Sequence, residues 1–108
     1  MSNKFNSLEQ FVLEKIKKID PTARLSRGSG CGNDLLDVCC KDFFIECRQN
    51  LTKSNWIIDR KKDWLNPQSK LPLNSHKEFL LIKENKFGEK IVVMDVETFF
   101  RLLNELGG

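Results

Sequence analysis

The chain has 108 residues, 40% hydrophobic and 31% charged, the proportions of an ordinary globular domain. A disordered, collagen-like or coiled-coil chain is excluded, and a single domain spanning 1–108 is expected. Eighteen Lys+Arg against 15 Asp+Glu leave a net charge of +3, which permits a nucleic-acid partner without demanding one. No apolar run approaches the roughly 18 residues of a membrane span, and MSNKFNSLEQF lacks the apolar stretch of a secretory leader. A cytoplasmic protein without a membrane partner is therefore expected.

Over residues 6–19, Leu8, Phe11, Val12, Ile16 and Ile19 recur at helical spacing, with Lys15 as the polar intruder. Asn6 or Ser7 can cap this helix, and Asp20-Pro21 ends it because the residue before proline avoids the helical region. A short strand over 22–27 leads into the glycine-rich loop Gly28-Ser29-Gly30-Cys31-Gly32-Asn33. Residues 35–40 and 43–49 are strand candidates, and Lys41-Asp42 between them is the length of a two-residue hairpin turn. The spacing predicts a helix over 55–65 and a loop from Pro67 to Ser75. Residues 78–83 and 90–96 read as strands from their β-branched and apolar content, with a hairpin at Lys86-Phe87-Gly88. A last helix over 97–106 puts Phe99, Leu102, Leu103 and Leu106 on one stripe and ends at Gly107-Gly108. The order α-β-β-β-α-β-β-α places the chain in the α/β class, a central mixed β-sheet flanked by helices.

The cysteines Cys31, Cys39, Cys40 and Cys47 do not show the C-x₂₋₄-C spacing of zinc sites. The plainer reading is that all four are small buried hydrophobes in a reducing compartment.

Chemistry concentrates between residues 37 and 48. Asp37 and Glu46 lie on strands joined by a short turn, so they are candidates for near-opposite positions across a hairpin. Strand alternation puts Glu46 and Arg48 on one face. A polar island on an apolar sheet costs stability unless it is paired or metal-bound. Magnesium takes one or two carboxylates, keeps waters and draws further oxygens from phosphate. Asp37, Glu46 and the main-chain carbonyl of Cys47 supply such a set, and Arg48 would stand beside the scissile phosphate. The competing reading makes Asp37 a strand-end turn residue and Glu46–Arg48 a pair on a solvated face.

The segment Ser26-Arg27-Gly28-Ser29-Gly30, then Asp37, then Ile45-Glu46-Cys47-Arg48, resembles the PD-(D/E)XK nuclease superfamily, and within it the archaeal-type Holliday-junction resolvases and their phage relatives. The resemblance runs over roughly residues 5–100. It implies a restriction-endonuclease-like core and a metal-dependent, structure-selective DNA endonuclease. Such an enzyme hydrolyses phosphodiester bonds at branched DNA as a homodimer, with Mg²⁺ as cofactor and Mn²⁺ as a substitute. By position, Glu9 corresponds to the first-helix acid, reaching the metal through water. Asp37 and Glu46 correspond to the metal-binding carboxylates, and Ser29 to the loop serine near the substrate backbone. Arg48 stands where the family has lysine. Arginine grips phosphate as a planar, permanently charged fork and cannot act as a base. Another duplex nickase of the superfamily, or a DNA-binding module that does not cut, are the alternatives.

For the DNA surface, backbone N–H groups of the loop around Gly28, Ser29 and Gly30 suit a phosphate. Arg24, Arg27, Lys53, Arg60, Lys61 and Lys62 flank the acids in sequence, where basic side chains would hold DNA backbones. Gln49 is a further backbone contact. The Arg60–Lys62 run reads equally well as a solvated helix face. A two-fold symmetric dimer would match a four-way junction. The stripe on the last helix, or Trp56 and Trp64, are candidates for its interface, although ordinary core packing is the plainer reading of most of these residues.

Overall fold

The structure, a computed structural model, describes residues 7–25, 37–72 and 76–107. Five strands form one sheet in sequential order: β1 (Arg24–Leu25), β2 (Val38–Cys39), β3 (Phe43–Gln49), β4 (Glu78–Glu84) and β5 (Lys90–Val93). β3 and β4 are parallel and the other neighbours antiparallel. Helix α1 (Ser7–Lys17) precedes the sheet. A π-helical segment (Arg60–Leu65) running into α2 (Asn66–Ser69) lies between β3 and β4, and α3 (Val96–Gly107) ends the chain. This is the expected α/β arrangement of a mixed sheet flanked by helices. Among the described residues no helix is long and apolar enough to cross a membrane.

Alternation along β3 sets the two layers. Ile45 and Cys47 face α1 and pack with Leu8 and Val12, supported by Leu80 and Ile82 of β4. Phe44 faces the opposite way and packs with Phe79, Leu81 and Cys39 under Trp64 and Leu71. Leu8, Ile45 and Leu81 are essentially inaccessible, and full burial of such side chains stabilises by about 1.5–3 kcal/mol each. Trp64 meets Phe79 edge-on, with ring centroids 5.3 Å apart, so it belongs to the core rather than to an interface.

Four expectations are corrected. The central helix does not begin at 55: regular structure starts at Arg60, because the carboxylate of Asp59 accepts the backbone N–H groups of Lys61 (2.9 Å) and Lys62 (2.8 Å), satisfying donors that open a helix. It then runs through Pro67, which was expected in a loop. The buried Pro67 sits in the first turn of α2, where a missing N–H costs no hydrogen bond. The last strand stops at Val93 rather than 96, since Asp95 caps α3 by accepting the N–H of Glu97 at 2.8 Å. The stripe on α3 is not core: Phe99, Leu103 and Leu106 are exposed, as are Val96 and Phe100. Its anchor is polar, with Thr98 and Arg101 bonded to Glu78 at the start of β4.

The cysteines also depart from four reduced thiols. Cys40 and Cys47 are free and buried, but Cys39 is disulfide-bonded. At the end of α1, Asp20 accepts hydrogen bonds from the Thr22 hydroxyl and from the backbone N–H of Lys41. These bonds hold its carboxyl below the usual range and tie the helix to the β2–β3 turn.

Candidate functional site

The short turn after β2 places Val38 opposite Ile45 and Cys39 opposite Phe44. Asp37 precedes this two-pair ladder, in a bend. The backbone N–H of Asp37 donates to the Ile45 carbonyl at 3.1 Å, and its Oδ2 accepts the N–H of Cys47 at 2.8 Å. The Asp37 carboxylate is thereby fixed against the backbone on either side of Glu46.

Glu46 is 8% exposed. Its carboxyl is pushed up to about 7, by burial first and then by the negative charge of Asp37, with Arg48 and Lys70 opposing the shift. The thiol of Cys47 is pushed far upward by burial, and next by Asp37, Glu9 and Glu46. Three carboxylates therefore act on this residue. Glu9 lies in the first turn of α1, where it is 2% exposed. Asp37 is thus bonded to Cys47 beside Glu46, and the charge of Glu9 is felt at the Cys47 thiol.

Arg48 lies beside them, with Nη2 2.6 Å from Glu46 Oε2. Its Nε is 3.8 Å from Asp63 Oδ1, and Asp63 Oδ2 is 3.1 Å from Lys83 Nζ. The parallel register explains this group. Phe44 pairs with Phe79, Glu46 with Leu81 and Arg48 with Lys83, so this face of the sheet turns from apolar to charged toward the carboxyl ends of β3 and β4.

Asp63, Lys83 and Lys70 escaped the sequence reading. Lys83 carried a usable signal: it continues the Phe79, Leu81 alternation, and a lysine on the buried face of a strand needs a partner. Asp63 and Lys70 carried none, because their approach depends on how the segment after β3 folds back.

Of the proposed DNA-contacting residues, Arg24, Lys53, Arg60, Lys61 and Lys62 are exposed. Arg60, Lys61 and Lys62 share the π-helical segment with Asp63, whose Oδ1 is 3.8 Å from Arg48 Nε. Gln49 turns to the α1 side, its amide donating to Glu84 Oε1 (2.7 Å) and Ser7 Oγ (3.1 Å). Arg27, Gly28, Ser29 and Gly30 lie outside the described residues. A cavity of about 280 Å³ lies at the other end of β4, lined among others by Asp42, His76 and Glu78. Its Glu78 is already engaged by Arg101 and Thr98.

Among the described residues, no three His, Cys, Asp or Glu side chains gather into a metal-holding group. Magnesium needs fewer, since two carboxylates and a carbonyl leave its other positions to water and phosphate. Asp37 and Glu46 match that demand, and a cation held by both would offset the part of the Glu46 shift that the charge of Asp37 adds to burial. No protein family, no curated protein and no solved structure matches the chain.

Proposed function

We propose that this chain is a metal-dependent endonuclease with a restriction-endonuclease-like core that hydrolyses phosphodiester bonds in branched DNA, in the manner of Holliday-junction resolvases. The observation that carries the reading is the meeting of Asp37, whose carboxylate takes the Cys47 N–H, with Glu46 and its ion-paired Arg48, toward the carboxyl ends of the parallel strands β3 and β4. Crevices at such strand ends are where α/β sheets commonly bind ligands. Asp37, Glu46 and the carbonyl of Cys47 would hold Mg²⁺, or Mn²⁺ in its place, with Glu9 acting through water. Held by these residues, a divalent cation would supply Lewis acidity toward the phosphodiester and an acidified water.

The protein's own groups supply the rest. Arg48, 44% exposed at its side chain, binds the phosphoryl oxygens as charge develops on them. The exposed Lys53, Arg60, Lys61, Lys62 and Lys70 hold DNA backbones through counterion release. Arg24, exposed on β1, and by sequence position Arg27, Gly28, Ser29 and Gly30 are further candidates for backbone contact. Hydrolysis consumes one water: its oxygen bonds to phosphorus, one ester P–O bond breaks, and the departing alkoxide takes up a proton. A two-fold dimer through the apolar face of α3 would set two such sites on a two-fold junction. The proposed compartment is the cytoplasm, or the host cytoplasm for a phage-encoded chain.

A second reading, a DNA-binding module that does not cut, is favoured by the Arg48–Glu46 ion pair, which already neutralises one carboxylate. The deciding experiment incubates the protein with a labelled four-way junction and with matched duplex, in Mg²⁺, Mn²⁺ and EDTA. Paired junction cuts that vanish in EDTA are expected. Cutting of both substrates indicates a general nuclease of the same superfamily, and binding without cutting in either metal supports the second reading.

A further inference from the structure

The parallel register sets two cations side by side, Arg48 on β3 and Lys83 on β4. Like charges in directly opposed strand positions repel. Asp63 resolves the conflict with its two oxygens, Oδ2 to Lys83 Nζ at 3.1 Å and Oδ1 toward Arg48 Nε at 3.8 Å. Asp63 cannot swing freely, because its Oδ2 also accepts the backbone N–H of Asp59 at 3.0 Å. Side-chain exposure rises along this chain of charges, from 7% at Lys83 and 12% at Asp63 to 44% at Arg48. Lys83 and Asp63 are thus shielded from any macromolecular ligand, while Arg48 faces outward with Glu46 gripping its other end at 2.6 Å.

We propose that Asp63 and Lys83 are positioning residues for Arg48: the buried pair forms a fixed abutment that, together with Glu46, holds the guanidinium at the mouth of the site. The inference rests on the nuclease reading for its kinetic consequence but not for its geometry. A lysine at position 48 reaches only one carboxylate at a time, whereas the planar fork of arginine spans two. The Asp63–Lys83 pair therefore gives a reason for arginine at this position.

The test uses the full chain in four forms: wild type, Asp63→Asn/Lys83→Met, Arg48→Gln and the combination of all three substitutions. Removing both buried charges together leaves no lone ion in the core, and melting curves check that each form folds. In wild-type background the paired substitution is expected to lower kcat on the order of 10–100-fold, the cost of a misplaced catalytic group, with KM little changed. In the Arg48→Gln background it is expected to cost nothing further. The Arg48 ¹⁵Nε resonance is expected to move in the paired variant. Equal kcat losses in both backgrounds, or an unmoved Arg48 resonance, would overturn the proposal. If the paired variant does not fold, Asp63→Glu is read in the same two ways, since it keeps the charge but displaces the carboxylate by one methylene. If the wild-type chain cuts no DNA, the nuclease reading fails and the Arg48 resonance alone decides this one.

Discussion

Asp37 accepts the backbone N–H of Cys47 across a 2.8 Å hydrogen bond, joining residues that lie ten apart in sequence. A carboxylate just before β2 is thereby tied to β3, and it cannot retreat from Glu46 without leaving that N–H unpaired. That bond keeps Asp37 near enough for its charge to help raise the Glu46 carboxyl.

Substituting either acid isosterically should separate cutting from binding. Asp37→Asn keeps an oxygen for the Cys47 N–H, and Glu46→Gln keeps the volume, so both variants should fold. Cleavage is expected to fall below detection. Junction affinity in EDTA should hold or rise, because a negative charge facing a polyanion is gone. Gel-shift and cleavage assays on the same preparations check this, and parallel loss of both activities would remove Asp37 and Glu46 from the ligand set.

Glu46 should make metal binding pH-dependent in a particular window. A cation binds the ionised carboxylate, and the carboxyl titrates at about 7. Below that value, Mn²⁺ affinity should climb by about tenfold per pH unit as one proton is displaced; above it, affinity should level off. The metal-free fold should behave in the opposite sense. A folded value above the ordinary 4.5 means that the folded state binds the extra proton, so stability falls as pH rises between the two values. The limit is about 3 kcal/mol. Calorimetric titration and urea melts across this range measure both slopes, and Glu46→Gln should flatten them.

Asn85 should be the costliest polar side chain to remove from the β4–β5 hairpin. It is fully buried. Its amide donates to the Ser54 carbonyl and to Glu89, and its oxygen accepts the N–H groups of Phe87 and Glu89. Asn85→Ala strands these partners, and about 2–4 kcal/mol should be lost. Gly88 in the same turn has φ +76°, and an added Cβ would meet only Glu84 Oε2 at 3.7 Å. Gly88→Ala should therefore cost about 1–2 kcal/mol from backbone conformation rather than from a clash. Urea denaturation resolves the two magnitudes.

The exposed apolar face of α3 should mediate self-association. Leu103→Glu places a charge among Phe99, Phe100 and Leu106, all exposed, so the monomer's own packing loses little. Wild type is expected to sediment as a dimer and the variant as a monomer of unchanged melting temperature. A wild-type chain that stays monomeric at assay concentration would remove α3 from the proposed junction-binding assembly.

Much of this was legible in the sequence because it is local. The periodicities of α1 and α3 and the alternation in β3 and β4 arise from neighbours a few residues apart. The two-residue turn Lys41-Asp42, closed by the Cys40 N–H on the Phe43 carbonyl at 3.0 Å, determines the register of Val38 on Ile45 and Cys39 on Phe44. Tertiary structure decided the rest. The meeting of Arg48 with Lys83 depends on a parallel pairing across a long crossover, and no turn length encodes that register. Asp63 reaches them because Asp59 caps the helical segment and Pro67 continues it, a choice settled by where Trp64 packs on Phe79. The amphipathic pattern of α3 specifies a helix with one apolar face, but whether that face meets core or solvent is set by where the helix docks. Its docking through Glu78, Thr98 and Arg101 leaves that face outward.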